Sequence, residues 1–239
     1  MNQTGMQARL SEELVQKRKK NMTREPDRVD RKMPLGVHLG DVITLDETPF
    51  VLAAGQLFLA CPKGGLMVKA IGYYDFQGIK YYRIYLDQPC NDDSYFLTLG
   101  LDDKGEVVET ILYKESFEIY PQDDGEWAEW IEEYNGHIGH YQLSLPDGPQ
   151  YTRIFESDGE DAPDWIAPVE FEEKITDDSY LTCVLKVQHA SMLYGRGVIT
   201  ESKTIVSEYV WAEKQEYEDG AMIVVSVGVL IEPTFLINI

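Results

Sequence analysis

The chain has 239 residues, 44% of them hydrophobic and 11% aromatic, with 42 acidic against 21 basic side chains and a formal net charge of −21. That is enough length and apolar content for one large domain with a real core, or for two small ones. A body this acidic repels phosphates and anionic head groups over about a Debye length, roughly 8 Å at physiological salt, which argues against direct nucleic-acid binding by it.

The first 32 residues stand apart. They hold nine basic side chains against five acids, so the remainder carries 12 bases and 37 acids. Ala8, Leu10, Leu14 and Val15 give a short apolar stripe at helical spacing, and Asn21 to Lys32, with Pro26 and mixed charges, has the composition of a linker. The expectation is a basic, partly disordered arm over 1–33, either solvated or touching an anionic lipid surface or an acidic partner.

Folded structure is expected from Met33 to Leu35 onward, as a single β-rich domain over 34–239. Short apolar runs punctuated by Gly36, Gly40, Pro49, Gly55, Pro62, Gly64 and Gly65 read as short strands. The stretch Gly72 to Asp87, GYYDFQGIKYYRIYLD, reads as a β-hairpin turning at Gln77 and Gly78 between two aromatic-rich strands. Tyr95 to Leu101 and Val107 to Tyr113 follow around the turn Asp102 to Gly105, completing an antiparallel meander of at least four strands.

Pro121 to Asp124 introduces the clearest helix, with Trp127, Trp130, Ile131 and Tyr134 at helical spacing, acids at its N-terminal end and Gly136 as its stop. Further strands are expected over His140 to Leu145, Tyr151 to Glu156, Tyr180 to His189, Leu193 to Ile199, Ile205 to Trp211 and Met222 to Leu230. The apolar run Ile223 to Ile239 reads as a buried strand pair, and no transmembrane helix is visible. The fold class is therefore α+β, β-rich and mostly antiparallel, with one main amphipathic helix. A finer expectation is two lobes, 34–120 and 134–239, hinged about that helix.

Between Glu156 and Asp178 lie ten acids and the single base Lys174. Pro163, Trp165 and Pro168 mark this stretch as a long ordered loop, pinned by an aromatic side chain. Its functional reading is electrostatic capture of a basic protein or a cation by Glu160, Asp161, Asp164, Trp165, Glu170, Glu172 and Glu173; its plain reading is solubility.

Elsewhere chemistry is thin. His137 and His140, in HIGH, lack a third metal ligand and suit a surface turn. Asp102, Asp103 and Glu106, and Asp123, Asp124 and Glu126, depart from the twelve-residue calcium loop and fit a turn and a helix start. Lys63, Gly64 and Gly65 are in the wrong order for a phosphate loop, and Cys61 beside Pro62 has no marker of an activated thiol. Cys61, Cys90 and Cys183, odd in number and without a secretory signal before them, read as reduced thiols of a cytoplasmic protein. No catalytic residue, metal or cofactor is expected, although a carboxylate enzyme using Glu170 or Glu172 near Trp165 is a third reading. Arg83, Arg153 and Arg196, placed within strands, are expected to be buried partners of carboxylates.

HASMLYGRGV, from His189 to Val198, with the strand ending in Glu208 to Val210, is similar to the C-terminal pattern of the YjfK-like family of uncharacterised bacterial proteins. PLGVHLGDVITLD, YYRIYLD, GHIG and YTRIFE occur in the order that the resemblance requires, so it spans about 34–239. The resemblance implies no assigned activity. It does imply a setting among bacterial proteins encoded beside a phage-shock-protein-A-like membrane-remodelling protein, a small potassium-channel-like membrane protein and a glutathionylspermidine-synthase-like enzyme. That setting makes the leading expectation a non-enzymatic adaptor that binds a basic partner in envelope stress, with a polyamine- or cation-binding module as the alternative.

Overall fold

Alternating apolar and polar side chains put this chain into long antiparallel strands that close on themselves. The computed structural model describes residues 28–45, 47–53, 55–76, 78–88, 93–154, 163–183, 185–201, 203–232 and the backbone of 236–238. The greater part of the basic arm, Glu160 and Asp161, and Cys90 therefore lie outside the described residues.

After a 3₁₀ turn at Pro34–Gly36 come β1 (Val42–Leu45), the short helix α1 (Thr48–Leu52), β2 (Leu66–Phe76), β3 (Ile79–Asp87), β4 (Ser94–Leu101) and β5 (Val107–Ile119). Helix α2 (Asp124–Ile131) leads to β6 (Gln142–Ser144), β7 (Gln150–Arg153), β8 (Val169–Thr176), β9 (Leu185–Ile199), β10 (Ile205–Tyr217), β11 (Gly220–Leu230) and β12 (Leu236–Asn238). No described helix is long and apolar enough to cross a membrane.

The pairing order β2-β3-β4-β5-β11-β10-β9-β8, with β8 returning to β2, makes a closed antiparallel barrel of eight strands. Register shifts at Val68/Ala70, Gly100/Leu101 and Val225/Ser226 are bulges of the kind that bend strands round such a closure. Two flaps extend from the wall where β8 ends: β1 and β12 beside the start of β2, and β7 and β6 beside the later part of β9.

The expected hairpin is β2 and β3, with Gly78 at φ 83° in its turn, a conformation open to glycine at little cost. The meander is β2 to β5. Helix α2 begins where expected, because the Asp123 carboxylate accepts from the Gly125 and Glu126 amides as its N-cap. It ends at Ile131, and Tyr134 lies beyond it at positive φ and exposed. Trp127 and Trp130 are only partly buried, packed against the outer apolar cluster of the barrel.

Three expectations need correction. The acidic segment is not all loop: Val169, Phe171, Glu173 and Ile175 alternate inward along β8, the strand that closes the barrel. The C-terminal run is not a strand pair, since β11 is barrel wall and β12 pairs with β1. Nor is there a division into lobes at 120–134 among the described residues. The barrel draws four strands from each side of α2, and β5·β11 and β2·β8 pairing joins them into one wall.

Alternation also gives the wall two unlike faces. The lumen takes Tyr74, Phe76, Phe96, Ile111, Tyr113, Phe171 and Trp211. The outer face carries an aliphatic cluster, including Ile84, Leu97, Leu99, Leu112, Val210 and Val227, which is covered by Val37, Phe50, Leu59, Ile138 and Leu143.

Candidate functional site

The lumen holds the densest polar constellation of the described residues. Arg83 on β3 and Glu213 on β10 point inward from opposite walls and meet as a bidentate pair, Nη1 to Oε1 at 3.0 Å and Nη2 to Oε2 at 3.3 Å. Glu213 also accepts from Trp211 Nε1 at 2.8 Å and Gln215 Nε2 at 2.7 Å, and His189 Nδ1 lies 2.8 Å from its Oε2. Glu173 completes the group, with Oε2 3.5 Å from Arg83 Nη1, 3.1 Å from His189 Nε2 and accepting from Tyr85 Oη at 3.0 Å.

Aromatic rings enclose these charges. The Arg83 guanidinium lies 4.6 Å from the Phe96 ring centroid, 5.4 Å from that of Trp211 and 5.5 Å from that of Tyr74. His189 stacks on Phe171 at 4.7 Å with the planes 3° apart. Gly72 leaves room for the Glu173 carboxylate: a Cβ there would sit 1.6 Å from Oε1.

Burial and charge oppose each other in the titrations. Burial alone would push Glu213 up, but Arg83 and His189 hold its carboxyl well below the usual range. Burial pulls His189 down, yet the charge of Glu213 and its contacts with Glu173 and Glu213 leave it raised. The imidazolium form is thereby favoured, and Glu213 lies against two cations. Desolvation pushes the Tyr74, Tyr85 and Tyr113 phenols up, so they remain neutral. Arg83 Nε, Glu173 Oε1 and the Tyr74 and Tyr113 hydroxyls lack hydrogen-bonding partners among the described residues, a cost that an apolar lumen would avoid.

Chemically, the quartet can hold charge and bind a proton; of its four members, His189 borders a depression of about 240 Å³ at the barrel surface. Across the lumen, Tyr74, Phe76, Phe171 and Trp211 pack with ring centroids 4.6 to 6.4 Å apart. The sequence alone points to Arg83 as a buried carboxylate partner and to Glu173 only as part of an acidic surface, and it singles out neither Glu213 nor His189. The available signal was a charged side chain at an inward position of an apolar strand, as Glu213 stands in VWAEKQ.

The other two arginines divide, and neither is the buried carboxylate partner expected: Arg196 has its carboxylate but is partly exposed, and Arg153 is buried but bonds to carbonyls. Arg196 meets Glu208 on the outer face of the barrel, at 2.5 Å from Nη2 and 2.7 Å from Nε. That carboxylate also accepts from Tyr151 Oη at 2.9 Å and from the amides of Phe58 and Leu59 at 2.6 and 3.0 Å. Arg153 instead donates to the carbonyls of Gly139 at 2.5 Å and Pro163 at 2.8 Å, and lies over the Tyr141 ring.

The acidic-segment residues do not converge. Asp164 is exposed and Trp165 half-buried, in a corner where Trp165 bridges to His140 and lies 5.3 Å from the Tyr134 ring. Glu170 and Glu172 are on the outer face of β8. Glu172 lies 3.3 Å from Lys186 Nζ and also accepts from Gln188. Glu173 faces the lumen with a side-chain exposure of 0%, away from any surface patch. His137 packs against Trp130, the His140 ring nitrogen lies 3.1 Å from the Asn135 carbonyl oxygen, and no group of three metal-ligating side chains occurs among the described residues.

A family model described as "Protein of unknown function (DUF2491)" matches residues 14–236. No curated protein and no solved structure matches the chain.

Proposed function

The chain belongs to that family of proteins of unknown function, and from this premise we propose that it is a non-catalytic interaction module that engages a basic protein partner through its acidic outer surface. The observation that carries the reading is the filled lumen. The carboxylates best arranged for proton chemistry, Glu173 and Glu213, are sealed behind aromatic rings and neutralised by Arg83 and His189. The solvent-facing carboxylates are dispersed on strand surfaces, a distribution suited to electrostatic steering of a partner.

Glu170 and Glu216 border a shallow depression of about 240 Å³ with Gln188 and Lys214, and Glu172 stands beside it on β8. This rim is the proposed centre of the contact, continuing toward Asp164. The YjfK-like resemblance of the His189 to Val198 stretch supplies the setting: a cytoplasmic adaptor whose partner is a basic protein of a bacterial envelope-stress system. The carboxylate-enzyme reading has little support, because Glu170 and Glu172 point outward from β8 while Trp165 packs in the Tyr134 corner.

The test is affinity capture with the full chain at low and high salt, beside the Glu170→Gln/Glu172→Gln/Glu216→Gln variant. The expected result is a basic partner recovered at low salt and lost both at high salt and with the variant. Recovery unchanged in the variant would overturn the reading. Thermal stabilisation by spermidine beyond that of matched ionic strength would favour the cation-binding alternative instead.

A further inference from the structure

On the outer face of the barrel, next to the acidic rim, the charge reverses. Register places Lys174 of β8 beside Tyr73 of β2, and Tyr73 beside Tyr82 of β3. These residues form a row across three strands on one face, and Lys80 stands two residues from Tyr82 on that same face. The segment Val29–Met33 borders this row and brings Lys32, so that the three lysines and two tyrosines line one recess of about 490 Å³. That is the size of a small-molecule site.

The recess is anchored in place. Asp30, fully buried at its carboxylate, accepts from Arg28 Nη2 at 2.6 Å and from the Leu39 amide at 2.8 Å, and the Val29 amide donates to the Ser179 carbonyl at 2.7 Å. The one carboxylate lining the recess is therefore turned inward and neutralised by Arg28. Neither Lys32 nor Lys80 makes an ion pair with a described carboxylate. Lys174 lies 3.8 Å from Glu172, whose nearer partner is Lys186 at 3.3 Å. In a protein with twice as many acids as bases, three lysines line one cavity; the carboxylates beside them are Glu172, 3.8 Å from Lys174, and Asp75, opposite Lys80 in the β2–β3 register.

The walls have a second character. Tyr73 and Tyr82 lie with ring centroids 5.4 Å apart beside Ile71 and Met33, a partly exposed aromatic surface. Burial, with a contribution from Tyr73, pushes the Tyr82 phenol up, which keeps it a neutral hydroxyl donor.

We propose that this recess binds a small anion carrying a flat apolar body, the chemistry shared by aromatic carboxylates and nucleoside monophosphates. Lys80, Lys174 and Lys32 hold the anionic group, and the planar body lies against Tyr73 and Tyr82. The recess adjoins the acidic rim at Glu172, 3.8 Å from Lys174, but the two proposals take ligands of opposite charge, and either can fail without the other.

The experiment is calorimetric titration of the full chain at low salt with 1-naphthoate, adenosine monophosphate, adenosine and inorganic phosphate, repeated on the Lys80→Gln/Lys174→Gln and Tyr73→Ala variants. At least one of the two aromatic anions is expected to bind with Kd below about 1 mM, and adenosine and phosphate at least about tenfold more weakly. The lysine pair variant should lose about tenfold or more in affinity at unchanged Tm, because both side chains are exposed, and Tyr73→Ala should lose less. Tight naphthoate with weak nucleotide identifies a carboxylate ligand, and the reverse identifies a nucleotide. Both aromatic anions binding more weakly than about 1 mM, or affinity indifferent to the lysine variant, overturns the proposal.

Discussion

Glu208 and Glu213 stand five residues apart on β10, are equally buried, and face opposite sides of the barrel wall. Glu213 crosses the lumen to an arginine on the opposite wall and shares a histidine with a second carboxylate. Glu208 collects the Arg196 guanidinium, a tyrosine hydroxyl and two backbone amides from the segment before β2. One buried carboxylate ties the barrel to itself and shares a histidine; the other nails a covering loop to the barrel through a guanidinium, a phenol and two backbone amides. Equal burial thus conceals different work, and the difference lies in which parts of the chain supply the partners.

The largest effect expected of this contrast is at the lumen. Glu213→Leu takes from Arg83 its bidentate partner and leaves it Glu173 alone, 3.5 Å away, and a loss of about 3 to 5 kcal/mol in urea unfolding is expected for breaking such a buried pair. Restoring much of that stability with Arg83→Met alongside would show that the unpaired charge, and not a lost cavity filler, is the cost. Gly72→Ala should come next, because the new methyl displaces the Glu173 carboxylate; about 1 to 3 kcal/mol is expected from overpacking, read as a shift in the unfolding midpoint.

Glu208→Ala should cost about 1 to 3 kcal/mol, since Arg196 is partly exposed and can turn to water. Its distinguishing mark is local. Hydrogen exchange at the Phe58 and Leu59 amides should quicken, while the β3 and β4 amides of the barrel keep their protection. Exchange that quickens equally in both regions would erase the distinction drawn here.

The smallest effect is in pH dependence. His189 is raised in the folded state, so its stabilisation is complete below its unfolded value, about 6.5, and fades as pH rises through the folded value. Glu213 is lowered, so its stabilisation is present above about 4.5 and fades as pH falls through its folded value. His189→Gln should therefore flatten the stability profile on the alkaline side, and on the acid side it should weaken the part of the Glu213 contribution that His189 supplies.

Local chemistry made parts of this molecule legible in advance. The hairpin turn at Gly78 and the Asp123 cap depend on neighbours within a few residues, and both stand where the sequence placed them. Strand β8 was hidden because its inward row, Val169, Phe171, Glu173 and Ile175, contains a glutamate, and its outward row is Glu170, Glu172 and Lys174. Only Arg83 and His189, contributed by two other strands, make an inward glutamate tolerable there. Barrel closure was hidden for the same reason: pairing between residues 71–73 and 174–176 spans about a hundred positions and leaves no local mark. The lysine recess, assembled from β2, β3, β8 and the segment before β1, was likewise beyond any window of sequence.

The two flaps have a further effect on how the protein behaves in a crowded solution. A closed barrel presents no strand edge, so among the described residues the free edges of this sheet fall on β6 and β12, each only three residues long. Such short edges give a neighbouring chain too few backbone groups to build upon, and the surplus of negative charge keeps neighbours apart before they can try. The flaps thus act as end-stops against edge-to-edge aggregation. Lengthening either edge with residues of high strand propensity is the change by which this sheet would begin to recruit copies of itself.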